Sequence, residues 1–380
     1  MELPPFLLDR WIEQKNSANP PIEYDLASST GPVWTVRELL ALSGENPWEA
    51  LLDIRVSYTS AAGTPALRSA IAALEGVEAD DVQIVTGASE ALLILFFLAA
   101  GPGANVLLPT PGFPANHALA ESLGIAIRYY TLRAENQFHV ELDEIRQLVD
   151  RNTRLLLVNS PHNPTGAVLS DEEMQGLHDF AVERGIQFVS DQVYHPIYHG
   201  PETQSAARLP HATVISDFSK ALCLSGLRIG WMIDRNPQRR ERYRNARNYF
   251  TITGNVFGEC LATLAVKHSR AIYARAGQIA KRNLALLDRL FAEHEGFLHW
   301  LRPRGGMTAF PWLASGADTR EFCRRLAQRG VLIVPGDCFG QPSYFRLGFA
   351  ASGDHFPLAI ERFAEFLHVE SRRGCSASAG

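Results

Sequence analysis

Between Val82 and Ile233, short β-branched apolar runs alternate with stretches whose apolar residues recur at helical spacing. The runs predict strands at Val82–Thr86, Asn105–Pro109, Ile127–Leu132, Thr153–Asn159, Gln187–Ser190, Thr213–Ser216 and Arg228–Ile233. The intervening stretches predict helices near Ser89–Ala100, Asn116–Leu123, Leu142–Val149 and Asp171–Glu183. Ser170-Asp-Glu-Glu173 has the form of a capping box opening the last of these. This rhythm is that of an α/β fold, a mostly parallel sheet covered by helices. Loops are signalled at Gly101–Gly103, Pro109–Gly112 and Pro161–Gly166. Parallel sheets bind ligands at the carboxyl ends of their strands, so these loops mark the functional edge.

After residue 236 the pattern turns helical, at Arg239–Tyr249 and then along Val256–Phe291. A mixed segment follows, with strands predicted at Thr308–Trp312, Val331–Val334 and Ser343–Phe349 and helices at Thr319–Gln328 and Phe356–Val369. The expected division is a large domain at 46–265, a smaller α+β domain formed by 1–45 with 266–370, and a small, polar, disordered tail at 371–380.

Composition narrows the possibilities. The chain has 380 residues, 36 basic and 41 acidic, with net charge −5 and no long basic block, which argues against nucleic acid as a partner. Its five cysteines are scattered without Cys-x-x-Cys spacing, so neither a disulfide framework nor a metal site is expected. The amino terminus, Met1-Glu-Leu-Pro-Pro, lacks the basic and apolar regions of a signal peptide, and the longest apolar run, Ala91–Ala100, is about half a membrane span. A cytoplasmic protein without a membrane partner is expected.

Several polar residues follow predicted strands. In Ile215–Trp231, Lys220 stands just after an apolar run and Arg228 eight positions later. Buried by Val214, Ile215 and Phe218, Lys220 would serve as a catalytic amine, with Arg228 as an anion ligand, although lysines after strands are more often simply solvated. Thr86–Leu92 places small residues where backbone N–H groups could cradle an anion; Ser89 could equally be an ordinary helix cap. Phe113, in a rigid proline turn, could stack on a planar ring or close the sheet edge. Asn163 precedes a proline and could donate its amide to a phenolic oxygen or merely organise the turn. Asp191, ending a buried strand, needs a cationic partner unless it caps a helix, and Tyr194 follows it by three residues.

The order and spacing of Asn163, Asp191-x-x-Tyr194, Ser219-Lys220 and Arg228 resemble the fold-type I pyridoxal-phosphate enzymes of the class I and II aminotransferase family, from about Tyr58 to Phe349. The resemblance implies a three-layer, aspartate aminotransferase-like large domain and pyridoxal 5′-phosphate as cofactor. It implies that Lys220 holds the cofactor as an imine and shuttles the α-proton of an amino acid whose amino group passes to a 2-oxo acid. Asp191 would pair with the ring nitrogen, Tyr194 and Asn163 with the ring oxygen, and Phe113 would stack on the ring. Ala88, Ser89, Ser219 and Arg228 would form the phosphate cup. Arg346, in Tyr344–Phe349, would fork onto the substrate α-carboxylate, and Gly31 would belong to a segment closing over substrate together with Trp34. Tyr58 would reach the cofactor phosphate of a neighbouring subunit, which implies a homodimer with shared active sites. Asp217 departs from the serine common three residues before the lysine, and its charge has the wrong sign for a phosphate ligand. Pro303–Phe310, Val334–Gly340 and Pro161–Pro164 also resemble the capreomycidine synthase branch, which implies the alternative of eliminating and cyclising a hydroxylated amino acid.

Overall fold

The computed structural model describes residues 3–44, 48–350 and 355–377, so the expected boundary at 45/46 lies outside the described residues. Seven strands form the central sheet: β1 (Val82–Val85), β2 (Asn105–Thr110), β3 (Ala126–Thr131), β4 (Thr153–Asn159), β5 (Gln187–Asp191), β6 (Thr213–Asp217) and β7 (Gly230–Asp234). Their spatial order is β1-β7-β6-β5-β4-β2-β3, parallel throughout except for β7, which runs antiparallel to both neighbours. β1, β5, β6 and β7 are almost wholly buried because helices cover both faces, which is why they read as continuous apolar runs. One face packs on Leu92, Leu95 and Phe96 of the helix Gly87–Ala99 and on Tyr243 and Ala246 of Pro237–Phe250. The other packs on Pro65–Glu75, Asp171–Glu183 and Val256–Lys267, through residues such as Ile71, Leu177 and Leu261. The Ser170–Glu173 capping box is present, both hydrogen bonds made.

A separate core joins the amino-terminal residues to the last third of the chain. Leu8, Trp11 and Leu26 pack with Leu284, Phe345 and Phe363, and Tyr24–Asp25 pairs in parallel with Val331–Leu332. Phe345–Gly348 lies between Thr308–Ala309 and Val334–Pro335 in a three-stranded antiparallel sheet.

Several predicted elements are divided or shifted. The long helical stretch breaks at His268 into Val256–Lys267 and Ser269–Glu293, because the first piece serves the sheet's core while the second carries Ile272 into that core and Leu284 into the other. Thr308–Trp312 splits around Pro311, which has no N–H for a ladder. The final helix runs Phe356–Ala377, past the point at 371 where disorder was expected. The helix Leu7–Glu13 was not anticipated. Among the described residues no helix is long and apolar enough to cross a membrane.

Candidate active site

A cavity of about 450 Å³ opens at the carboxyl ends of β4, β5 and β6, between the sheet and the smaller core. Lys220, Asp191, Tyr194, Asn163, Phe113, Ala88, Ser89, Ser219, Arg228 and Arg346 all line it, brought together from six separate segments.

β5 ends by burying the Asp191 carboxyl, which is 6% exposed and, among the described residues, accepts only the Val193 N–H, at 3.2 Å. Burial pushes its pKa up to about 7, with the charge of Asp217 adding to that effect and Lys220 opposing it. The Asn159 side chain holds this edge in register. Its amide donates to the Asp191 carbonyl at 3.0 Å, and its oxygen accepts the Asn163 N–H at 2.8 Å. Tyr194, one turn beyond Asp191, is buried, and its Oη has no partner among the described residues.

Lys220 emerges from β6 behind Ile215 and Phe218, both fully buried. Its Nζ donates to Ser29 Oγ at 2.8 Å and lies 5.9 Å from the centre of the Tyr194 ring. Arg228 was predicted to begin β7, but it precedes that strand in a left-handed conformation (φ 54°, ψ 46°), which turns the guanidinium back to the cavity. Nη1 donates to Ser219 Oγ at 3.3 Å and to the Ser225 carbonyl at 3.2 Å. A Cβ at Gly87 would lie 2.7 Å from Nη2, so the arginine rests directly on the helix start. That helix begins at Gly87, with Thr86 as an N-cap that gives no side-chain bond; Ser89 sits exposed in the first turn and is not the cap. First-turn N–H groups thus face the cavity, as anion sites at helix starts require.

Arg346 is 1% exposed, and burial lowers its pKa from the ordinary arginine value. Nη1 donates to Asn163 Oδ1 at 3.1 Å and Nη2 to the Ala27 carbonyl at 2.8 Å, while Nε has no partner among the described residues. Phe113 meets Phe6 edge-on at 6.0 Å.

Three of the expected residues, Gly31, Tyr58 and Trp34, lie off the cavity. Gly31 packs instead against Cys223 and Met307, where a Cβ would approach the Cys223 sulfur to 2.3 Å; the backbone must pass close there, and the neighbouring Ser29 and Thr30 reach the cavity in its place. Tyr58 is 81% exposed on the outer surface of its own chain. Trp34 stacks under Arg275 at 4.3 Å, away from the cavity wall. The wall contributed by Phe6, Leu8, Asp9 and Ile12 was missed.

The donor set fits pyridoxal phosphate. A buried acid with no ion-pair partner among the described residues suits a protonated ring nitrogen, the orphaned Tyr194 Oη suits the ring oxygen, and first-turn N–H groups beside Arg228 suit a phosphate. Fold and site together define a pyridoxal-phosphate enzyme of aspartate aminotransferase-like architecture. Residues 35–362 match the family model described as aminotransferase class I and II, and the chain belongs to that family. Over 378 residues it is 31% identical to capreomycidine synthase of Streptomyces vinaceus, covering 98% of this chain and 96% of that one. A PLP-dependent aminotransferase structure from Streptococcus suis superposes with a TM-score of 0.90 at 30% identity, covering 97% of this chain and 98% of the other. The PLP-dependent cyclase OrfR does so with 0.88 at 26%, with the same coverage.

Proposed function

We propose that this enzyme is an aminotransferase, moving the α-amino group of an amino acid to a 2-oxo acid. The observation that carries the reading is one cavity wall holding Lys220, Asp191 and the buried Arg346 together. When bound, pyridoxal phosphate supplies an electron sink for the negative charge left at the substrate α-carbon. Arg346 retains three of its five N–H donors after serving Asn163 and Ala27, enough to fork onto an α-carboxylate. That contact fixes the α-C–H towards Lys220, whose Nζ takes and returns the proton, with Ser29 Oγ holding the amine between transfers. Asp191 holds the proton at the ring nitrogen. Tyr194 Oη and Asn163 Nδ2, left free by the use of Oδ1 for Arg346, hydrogen-bond the ring oxygen. Ala88, Ser89, Ser219 and Arg228 form the phosphate cup, and Tyr58 serves the cup of a second copy in a homodimer.

A second reading, elimination and cyclisation of a hydroxylated amino acid, is favoured by the likeness to capreomycidine synthase along nearly the whole chain. The two are separated by mixing the holoenzyme with a panel of amino donors, following cofactor absorbance, and then adding a 2-oxo acid. Transamination requires donor-driven conversion to the amine form and its reversal by the oxo acid. Absence of that cycle with every donor, alongside turnover of a β-hydroxylated amino acid, would overturn the proposal in favour of the second reading. Lys220→Ala should abolish turnover and any borohydride-reducible link to the cofactor.

A further inference from the structure

Asp217 ends β6 three residues before Lys220, lines the same cavity and is 6% exposed. One carboxyl oxygen accepts the Ser219 N–H at 2.9 Å, and the other accepts the Ala88 N–H at 3.4 Å. Both donors belong to segments assigned to the phosphate cup. Among the described residues Arg228 makes no ion pair with it; Nη1 is directed to Ser219 Oγ and the Ser225 carbonyl. Asp217 instead engages the cup's backbone donors from the cavity wall.

We propose that Asp217 competes with the cofactor phosphate for the Ala88 and Ser219 N–H groups, so that this chain grips the phosphate end of its cofactor weakly relative to the ring end. A hydroxyl at this position could donate to a phosphate oxygen, whereas a carboxylate there accepts from the same N–H groups and repels the anion. The inference rests on the cup assigned above and is independent of which reaction follows.

Pyridoxal, which lacks the phosphate, isolates the effect. Cofactor is removed from the holoenzyme, and the dissociation constants of pyridoxal phosphate and of pyridoxal are measured by absorbance titration for the parent, Asp217→Ser and Asp217→Asn. Both variants are expected to bind pyridoxal phosphate about tenfold more tightly or better, with pyridoxal affinity moving less than about twofold. Inorganic phosphate should raise their thermal midpoints at concentrations about tenfold lower than the parent requires. Asn keeps the size of Asp and an oxygen for the Ser219 N–H, so it carries the test if the serine variant folds poorly. Unchanged or weaker pyridoxal phosphate binding in the folded variants overturns the proposal, as does an equal gain for pyridoxal, which would mean that the charge acts at the ring end. Arg228→Ala checks the cup separately: it should weaken pyridoxal phosphate and spare pyridoxal. If it does not, the cup assignment fails and the proposal with it; failure of the Asp217 variants alone overturns only the proposal.

Discussion

Asp191 carries a desolvation penalty at the cavity floor. In the folded, cofactor-free chain its carboxyl keeps a proton up to about pH 7, while in the unfolded chain it ionises near 3.8. Between those values the folded state holds the extra proton, so stability falls as pH rises from about 4 to 7 and is flat above. Asp191→Asn, neutral at every pH, should remove that slope and leave the cofactor-free protein more stable than the parent at pH 8, by at most about 4 kcal/mol. Denaturant titrations at pH 5 and 8 read this directly, and an unchanged slope would locate the penalty elsewhere. Arg346→Lys cannot keep both the Ala27 and Asn163 bonds and still present a fork. The KM for an amino donor should rise about tenfold or more with a smaller change in kcat, the signature of lost substrate binding. An unchanged KM would remove Arg346 from carboxylate recognition. The positions of Asn163, Asp191, Tyr194 and Lys220 near strand ends were legible in the sequence, and all four line the cavity. The partners of Asp217 were not legible, since its two N–H donors come from segments 129 and 2 residues away.

At the level of elements, alternating apolar runs located all seven strands of the sheet, because burial on both faces leaves an unambiguous pattern. The element ends were less visible, and it is there that the site is made. Arg228 reads as strand by composition, yet its left-handed backbone delays β7 to Gly230 and frees the side chain for the cavity. Gly230 itself is a contact glycine: a Cβ there would lie 2.8 Å from the Gly87 carbonyl carbon, 2.9 Å from the Ala88 nitrogen and 2.9 Å from the Ser216 carbonyl oxygen. All three are backbone atoms that cannot rotate away. Gly230→Ala should therefore push the helix start from the strand, destabilising the protein by roughly 1–3 kcal/mol and weakening pyridoxal phosphate more than pyridoxal. Chemical denaturation and the same pair of titrations measure both effects; a stable variant with parental affinity would show that the helix start can shift without consequence. The first helix was missed for a different reason. Its seven residues are too few for a confident period, and their burial depends on residues more than 300 positions away, such as the Ile333 carbonyl that accepts the Trp11 indole N–H at 2.7 Å.

For the whole molecule, the question is how Tyr58 can take part when it stands on the surface of its own chain. Tyr58 is 81% exposed and Val56 94%, so both side chains are open to contact with another surface. In a homodimer with shared sites, each cavity would hold its own Lys220 and receive Tyr58 from the other copy. Mixed dimers make this decisive. Lys220→Ala subunits are inactive but supply an intact tyrosine; Tyr58→Ala subunits keep the lysine but should hold pyridoxal phosphate weakly, by about tenfold or more. In a mixed dimer, one site combines Lys220 from one chain with Tyr58 from the other, and its partner site lacks both. At cofactor concentrations too low to load Tyr58→Ala homodimers, unfolding and co-refolding the two variants at a one-to-one ratio should restore activity, approaching one functional site per mixed dimer. If Tyr58 acted within its own chain, every site would lack either the lysine or the tyrosine, and mixing would restore nothing. Restoration that persists when the Lys220→Ala subunit also carries Tyr58→Ala would mean that refolding, not a shared tyrosine, produced the gain.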